Sequence, residues 1–150
     1  MVKEYYEDYK LGEVFTSPGR TITETDLVFY SAFTGDWWEG HTNVEYAKKT
    51  VFGQRIAHGF LTLCVGTSLL FRLGVNEVFP RFFIAHYGIE ALRFTGPVMI
   101  GDTISCEAEL VEMSEKDAQR GILTFNIRVL NQRNEKVLIY MEKVLVSRRI

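Results

Sequence analysis

Apolar residues along this chain recur with two different periods. Up to about Leu73 they fall mostly at three-to-four spacing, as on one face of a helix, whereas from Phe82 onward they recur at every second position, as in half-buried strands. The pattern predicts an α+β chain with an antiparallel sheet. An extended stretch at Glu13–Thr16 and a turn at Ser17-Pro18-Gly19 precede Thr23-Glu24-Thr25-Asp26, a hydroxyl cap with acids in the first turn, where a helix should start. Its apolar residues Leu27, Tyr30 and Phe33 share a face, and Gly35 is placed to end it in a left-handed conformation. A polar loop, Asp36–Thr42, follows, after which Asn43 caps a short helix over Val44–Lys49.

The segment His58–Leu73 reads HGFLTLCVGTSLLFRL, with apolar residues pointing in every direction. A helix that is apolar all round must be surrounded. The second half supplies the sheet to do so: Ile104/Cys106/Ala108/Leu110 and Leu123/Phe125/Ile127/Val129 alternate with polar neighbours, and Val137–Val146, apolar on both faces, reads as a central strand. Turns fall at Gly101-Asp102, around Lys116–Gly121 and at Asn131–Glu135, and Phe82–Phe94 makes one long strand with a bend at Gly88. One long buried central helix wrapped by a curved antiparallel sheet is the hot-dog fold.

Composition narrows the function classes. The 150 residues, 47% hydrophobic and 24% charged, suit one globular domain over 1–150, and 17 basic against 19 acidic residues leave a formal charge of −2 with no block of like charge. No nucleic acid is therefore expected as a partner. The N-terminal MVKEYYEDYK lacks the basic start and apolar core of a secretory signal, so the mature protein is expected to begin here. The longest stretch free of Asp, Glu, Lys and Arg, Ile56–Phe71, falls short of the roughly 20 apolar residues of a spanning helix, and no membrane segment is expected. Cys64 and Cys106 lie in apolar segments outside any metal or redox motif and read as reduced core thiols of a cytoplasmic protein.

Three histidines are the groups best suited to chemistry near neutral pH. His86 lies in a strand and reads as a packing or surface residue. His58, at the entrance to the buried helix, reads as structural support that caps free N–H groups or shapes a pocket. His41 shares the loop Gly35-Asp36-Trp37-Trp38-Glu39-Gly40-His41 with two carboxylates and two tryptophans. A carboxylate and an imidazole that reach one water molecule can hold it, polarise it and move its protons, as addition of water to a double bond requires. Walls from Trp37, Trp38 and Phe52 would limit bulk water. Taken alone, Asp36 fits equally a loop-turning residue and His41 a backbone-bonded one. Gly59 opens the buried helix, whose free N–H groups and positive dipole end suit a thioester carbonyl turning into an enolate; it also fits a simple need for close packing.

These residues resemble a known family. Tyr30-Ser31-Ala32-Phe33-Thr34-Gly35-Asp36, His41-Thr42, Glu45-Tyr46-Ala47, Phe52-Gly53 and Arg55-Ile56-Ala57-His58-Gly59-Phe60-Leu61 are similar to the signature of the MaoC-like dehydratases, also called R-specific enoyl-CoA hydratases or hydratase 2. Gly19-Arg20-Thr21-Ile22-Thr23-Glu24, Phe94-Thr95-Gly96-Pro97-Val98 and Gly101-Asp102-Thr103 extend the likeness over nearly the whole chain. The resemblance implies an enzyme of fatty acid metabolism that hydrates trans-2-enoyl-CoA to (R)-3-hydroxyacyl-CoA, or the reverse. It further implies no metal or redox cofactor, coenzyme A entering only with the substrate. Asp36 and His41 would be the catalytic pair and Gly59 the oxyanion donor, in a homodimer or higher homo-oligomer joined through sheet edges. Trp37, Trp38, Glu39, Phe52, His58 and Cys64 are the candidate substrate-binding residues.

One departure stands out. The family loop typically reads Asp-x-Asn-Pro-x-His, and here Trp38 and Glu39, followed by Gly40, replace the Asn-Pro pair. An indole donates one hydrogen bond and accepts none. The expectation is a retained hydro-lyase with altered substrate preference, with Glu39 available as a third acid or base. A hot-dog acyl-CoA thioesterase and a non-catalytic acyl-CoA-binding module remain as alternatives. Arg55, Arg72, Arg81 and Arg93 are equivalent candidates for the CoA phosphates.

Overall fold

A computed structural model of the chain describes residues 2–150. A 3-10 turn at Tyr6–Asp8 leads to two short strands, β1 (Val14–Thr16) and β2 (Arg20–Thr21), then to helices α1 (Glu24–Thr34), α2 (Glu39–Thr42), α3 (Val44–Ala47) and α4 (Gly59–Ser68). Four long strands follow: β3 (Phe83–Phe94), β4 (Thr103–Glu115), β5 (Arg120–Leu130) and β6 (Lys136–Ser147). They form an antiparallel sheet in the order β1-β4-β5-β6-β3, with β2 pairing beside β1 on β4.

The alternating segments sit where their pattern predicts. Ile104, Cys106, Ala108 and Leu110 of β4 and Leu123, Phe125, Ile127 and Val129 of β5 are buried on the face that meets α4. β6 lies between β5 and β3, the central place expected for Val137–Val146. A side chain on Gly66 would come within 2.7 Å of Val129, so the bare glycine lets α4 lie close on β5. A helix set against an antiparallel sheet in this way is the hot-dog arrangement.

Local signals placed the boundaries of α1. Thr23 accepts from the Asp26 N–H while Asp26 Oδ2 accepts from the Thr23 N–H, and Gly35 ends the helix at φ +81°. Its packing differs from the apolar reading: Leu27 and Ser31 are buried, and Phe33 is 80% exposed. Ser31 meets the His58 ring and Tyr30 packs against it, while Phe29 and Phe33 turn outward.

Three other expectations change. Asp36–Thr42 is not loop throughout, because Glu39–Thr42 closes one helical turn. The central helix is shorter than His58–Leu73, starting at Gly59 and tightening into a 3-10 turn at Leu69–Leu73. Nor is it surrounded: Leu61, Thr62 and Gly66 are buried, but Phe60, Cys64 and Phe71 are exposed, since one sheet covers only one side. Cys64 is thus no core thiol, whereas Cys106 is buried, and burial pushes its thiol up to about 12. Among the described residues no helix is long and apolar enough to cross a membrane.

Candidate active site

Gly35 reverses the chain after α1, and Asp36 is the first residue of the loop beyond it. Asp36 Oδ1 accepts from the Trp38 N–H at 3.2 Å, the local turn a short carboxylate favours. Thr42 Oγ1 donates to the carbonyls of Trp37 and Trp38, both at 3.1 Å, and ties the far end of the turn back to its start. The Trp38 ring folds over Gly40, where any side chain would collide with it, and meets the His41 ring edge-on at 5.0 Å.

His41 is buried, and its Nδ1 lies 2.7 Å from the Ile56 carbonyl oxygen. A carbonyl only accepts, so Nδ1 carries the proton and Nε2 of the neutral ring keeps a lone pair. Ile56 is itself held, because its N–H donates to the Gly40 carbonyl and the next N–H, from Ala57, donates to Val98. The His41 ring is therefore oriented by backbone anchored at two points.

His58 lies directly beneath. The two imidazoles stack with centroids 3.8 Å apart at 31°, and His58 Nε2 sits 3.0 Å from Ser31 Oγ and 3.2 Å from the Asp36 carbonyl oxygen. Burial lowers the pKa of His58 and the neighbouring His41 lowers it further, opposed by the Asp36 carbonyl and carboxylate. One oxygen of Asp36 and one nitrogen of each histidine all lie within 4.8 Å of one another. At ordinary hydrogen-bond lengths of about 2.8 Å, groups this close can share one water. The same three could approach a cation, although His41 Nδ1 and His58 Nε2 are already committed to carbonyls.

Beside this cluster runs an apolar cavity of about 470 Å³, lined among others by Phe52, Ile56, Gly59, Phe60, Phe94 and Val98. Gly59 is the first residue of α4, and the first N–H groups of a helix have no acceptor within it. The positive end of the helix therefore opens on an apolar chamber next to a carboxylate and an imidazole.

A family model described as "MaoC like domain" matches residues 9–130. The chain belongs to the MaoC-like family. It is 36% identical over 102 residues to Protein MaoC of Klebsiella aerogenes, an alignment covering 68% of this chain but only 29% of that protein. To the (R)-specific enoyl-CoA hydratase of Rhodospirillum rubrum it is 35% identical over 105 residues, covering 70% of this chain and 68% of the relative. Among solved structures, one described as a monoamine oxidase regulatory protein from Archaeoglobus fulgidus superposes with a TM-score of 0.93 at 37% identity, over 100% of this chain and 98% of that one.

Within this MaoC-like chain the predicted residues divide into three groups. Asp36, His41 and His58 come together, and Gly59 and Phe52 line the adjoining cavity. His58 does not cap α4; its ring is used by Ser31 and Asp36 instead. Trp38 packs on His41, while Trp37 is largely exposed. Glu39 is exposed and accepts from Asn43 Nδ2 at 2.9 Å, which occupies it in the turn. Cys64 borders a separate shallow depression with Arg20 and Arg72. Of the arginines, Arg55 pairs with Glu24, Arg72 donates to the Gly19 carbonyl and Arg81 pairs with Glu4, whereas Arg93 is exposed. Sequence reading missed Ser31 and Phe94; a serine on the inner face of an otherwise apolar helix was the available signal for the first.

Proposed function

We propose that this MaoC-like chain is a hydro-lyase acting on a CoA thioester, adding water to a trans-2-enoyl-CoA to give the (R)-3-hydroxyacyl-CoA, or removing it. The observation that carries the reading is the pairing of Asp36 with a His41 whose Nδ1–H is spent on the Ile56 carbonyl, at the edge of an apolar cavity opened by Gly59. The relative named (R)-specific enoyl-CoA hydratase supports it.

In this mechanism Asp36 and His41 hold one water, and His41 Nε2 accepts its proton as the oxygen bonds to the β-carbon. The double-bond electrons move towards the thioester oxygen, where the Gly59 N–H stabilises the enolate. The enolate collapses as the α-carbon takes a proton from the pair, so one water is added and nothing else is consumed. The chemistry calls on no metal and no redox cofactor. The apolar cavity would take the acyl chain. The working unit in this reading is a homodimer formed through the open edge of β3, a protein of the cytoplasm with both cysteines as free thiols.

A panel of enoyl-CoA thioesters tests it. Loss of the enoyl-thioester absorbance without release of free thiol is the expected result, with Asp36→Asn and His41→Ala each lowering turnover by about 100-fold or more. Release of CoA thiol would make the protein a thioesterase. Binding without turnover, unchanged by either substitution, would make it a carrier module.

A further inference from the structure

His58 holds a place that neither structural support nor substrate contact explains. Its side chain is 1% exposed, and within hydrogen-bonding distance of its Nε2 are two groups, Ser31 Oγ and the Asp36 carbonyl. Since the carbonyl only accepts, a bare Nε2 would set two lone pairs against each other and leave a buried N–H on Nδ1 with no acceptor. With the proton on Nε2 both neighbours are served. The only group then left over is the Nδ1 lone pair, and Nδ1 is indeed buried without a partner. An orphaned buried acceptor is tolerated better than an orphaned buried donor. Nothing stands ready at Nδ1 to stabilise a second N–H, so a cationic ring would be poorly accommodated.

Three elements face this ring. Tyr30 of α1 lies at 4.5 Å between centroids, its phenol kept protonated by burial and by the nearby Cys64 and Asp36; the Asp36 loop contributes the one carboxylate; and α2 contributes His41, stacked at 3.8 Å. A positive charge on His58 would oppose protonation of His41 across that short distance. A neutral His58 leaves His41 free to take the proton.

We propose that His58 is the positioning residue of the site: as the neutral Nε2–H tautomer it holds the Asp36 backbone by its carbonyl, lies under His41, and confines the site's single positive charge to His41. The proposal rests on the reading of Asp36 and His41 as the catalytic pair. His58 touches neither water nor substrate in this role; it sets where the carboxylate stands and which imidazole is the base.

Two substitutions separate its functions. His58→Gln keeps an N–H donor near the Nε2 position, whereas His58→Phe keeps a flat ring under His41 and removes the donor. His58→Phe is expected to lower kcat about 100-fold with KM within about threefold, and His58→Gln to recover kcat to within about tenfold of the parent. Imidazole ¹H–¹⁵N spectra, which need no substrate, are expected to show His58 still as the neutral Nε2–H form at a pH where an ordinary histidine is already charged. An Nδ1–H pattern, a cationic ring at pH 6.5, or full activity in folded His58→Phe each overturns it. If His58→Phe does not fold, the spectrum and His58→Gln decide. Should Asp36→Asn and His41→Ala retain full turnover, the catalytic reading itself fails, an outcome separate from active His58→Phe beside inactive Asp36→Asn.

Discussion

The ring of Phe94 stands 2.8 Å from the point that a side-chain carbon on Gly59 would occupy. No real carbon sits that close, so the start of α4 and this residue of β3 are fitted to one another at the mouth of the apolar cavity. Gly59→Ala must push the ring aside, and Phe94 is half exposed, so the ring has room to move. The expected cost is about 1 kcal/mol of stability, at the low end for overpacking. Activity should suffer more, because the displaced ring lines the cavity proposed to take the acyl chain: kcat/KM is expected to fall about tenfold or more, with partial recovery when Phe94→Leu is added. Thermal melts alongside steady-state kinetics of the single and double variants check it, and an unaffected kcat/KM would remove the helix start from the thioester site.

Trp38 replaces the asparagine of the family loop, and its ring caps Gly40 and walls His41. Trp38→Asn takes away that wall and restores a side chain that both donates and accepts. The expected outcome is a changed profile over acyl length and branching, with fold retained because the turn is also held by Asp36, Thr42 and Asn43. An identical rank order of substrates for the two proteins would exclude a pocket-shaping role.

What could be read from the sequence here is what neighbours decide. The capping box of Thr23 and Asp26, the left-handed Gly35 and the period-two runs of β4 and β5 are contacts within a few residues or along one face, so pattern and structure agree. The nearness of Asp36 and His41 was legible because only one short turn of chain separates them. Ser31 with His58, 27 residues apart, was not: nothing local says that a helix serine will meet a particular imidazole. The same holds for the exposure of Phe60 and Cys64, since an apolar run shows that a helix seeks cover without showing how much this chain provides. The Glu39 carboxylate, available by its company as an acid or base, also accepts from Asn43 within the turn, a contact the sequence did not signal.

Glu142 faces the core from β6 with its side chain 3% exposed, one oxygen 2.6 Å from His86 Nδ1 and the other buried without a partner. Burial raises its pKa in the folded state, outweighing the pull of His86. A carboxyl whose folded pKa lies above its unfolded value supports the fold when protonated, and that support is lost as pH rises through the folded pKa. The charged form is therefore a burden shared with His86. His86→Ala leaves it uncompensated and is expected to destabilise by about 1–2 kcal/mol, below the range for fully buried pairs because the imidazole is more than half exposed. Glu142→Gln should raise the melting temperature at pH 7. Both differences are expected to shrink towards pH 4, where the carboxyl is protonated, and melts from pH 4 to 8 would show a flat difference if burial of the charge were not the cause.

The edge of the sheet makes the last prediction. Among the described residues β3 pairs only with β6, so one side of a twelve-residue strand presents free backbone groups, and Ile84, Tyr87 and Ile89 on it are exposed. A long apolar edge is unstable against pairing with another copy unless it is blocked. Its register shifts at Phe83/Ala85, His86/Gly88 and Glu90/Arg93 twist the strand without breaking it. A symmetric pair joined through β3 would satisfy these groups and cover the side chains at one stroke. Light scattering is expected to give twice the chain mass of 17.3 kDa. Ile84→Lys with Ile89→Lys, placing charges in the joint, should yield the monomer with the strand order intact by circular dichroism. A variant that stays at the doubled mass would place the interface elsewhere, with the exposed aromatic face of α1 at Phe29 and Phe33 the next surface to substitute.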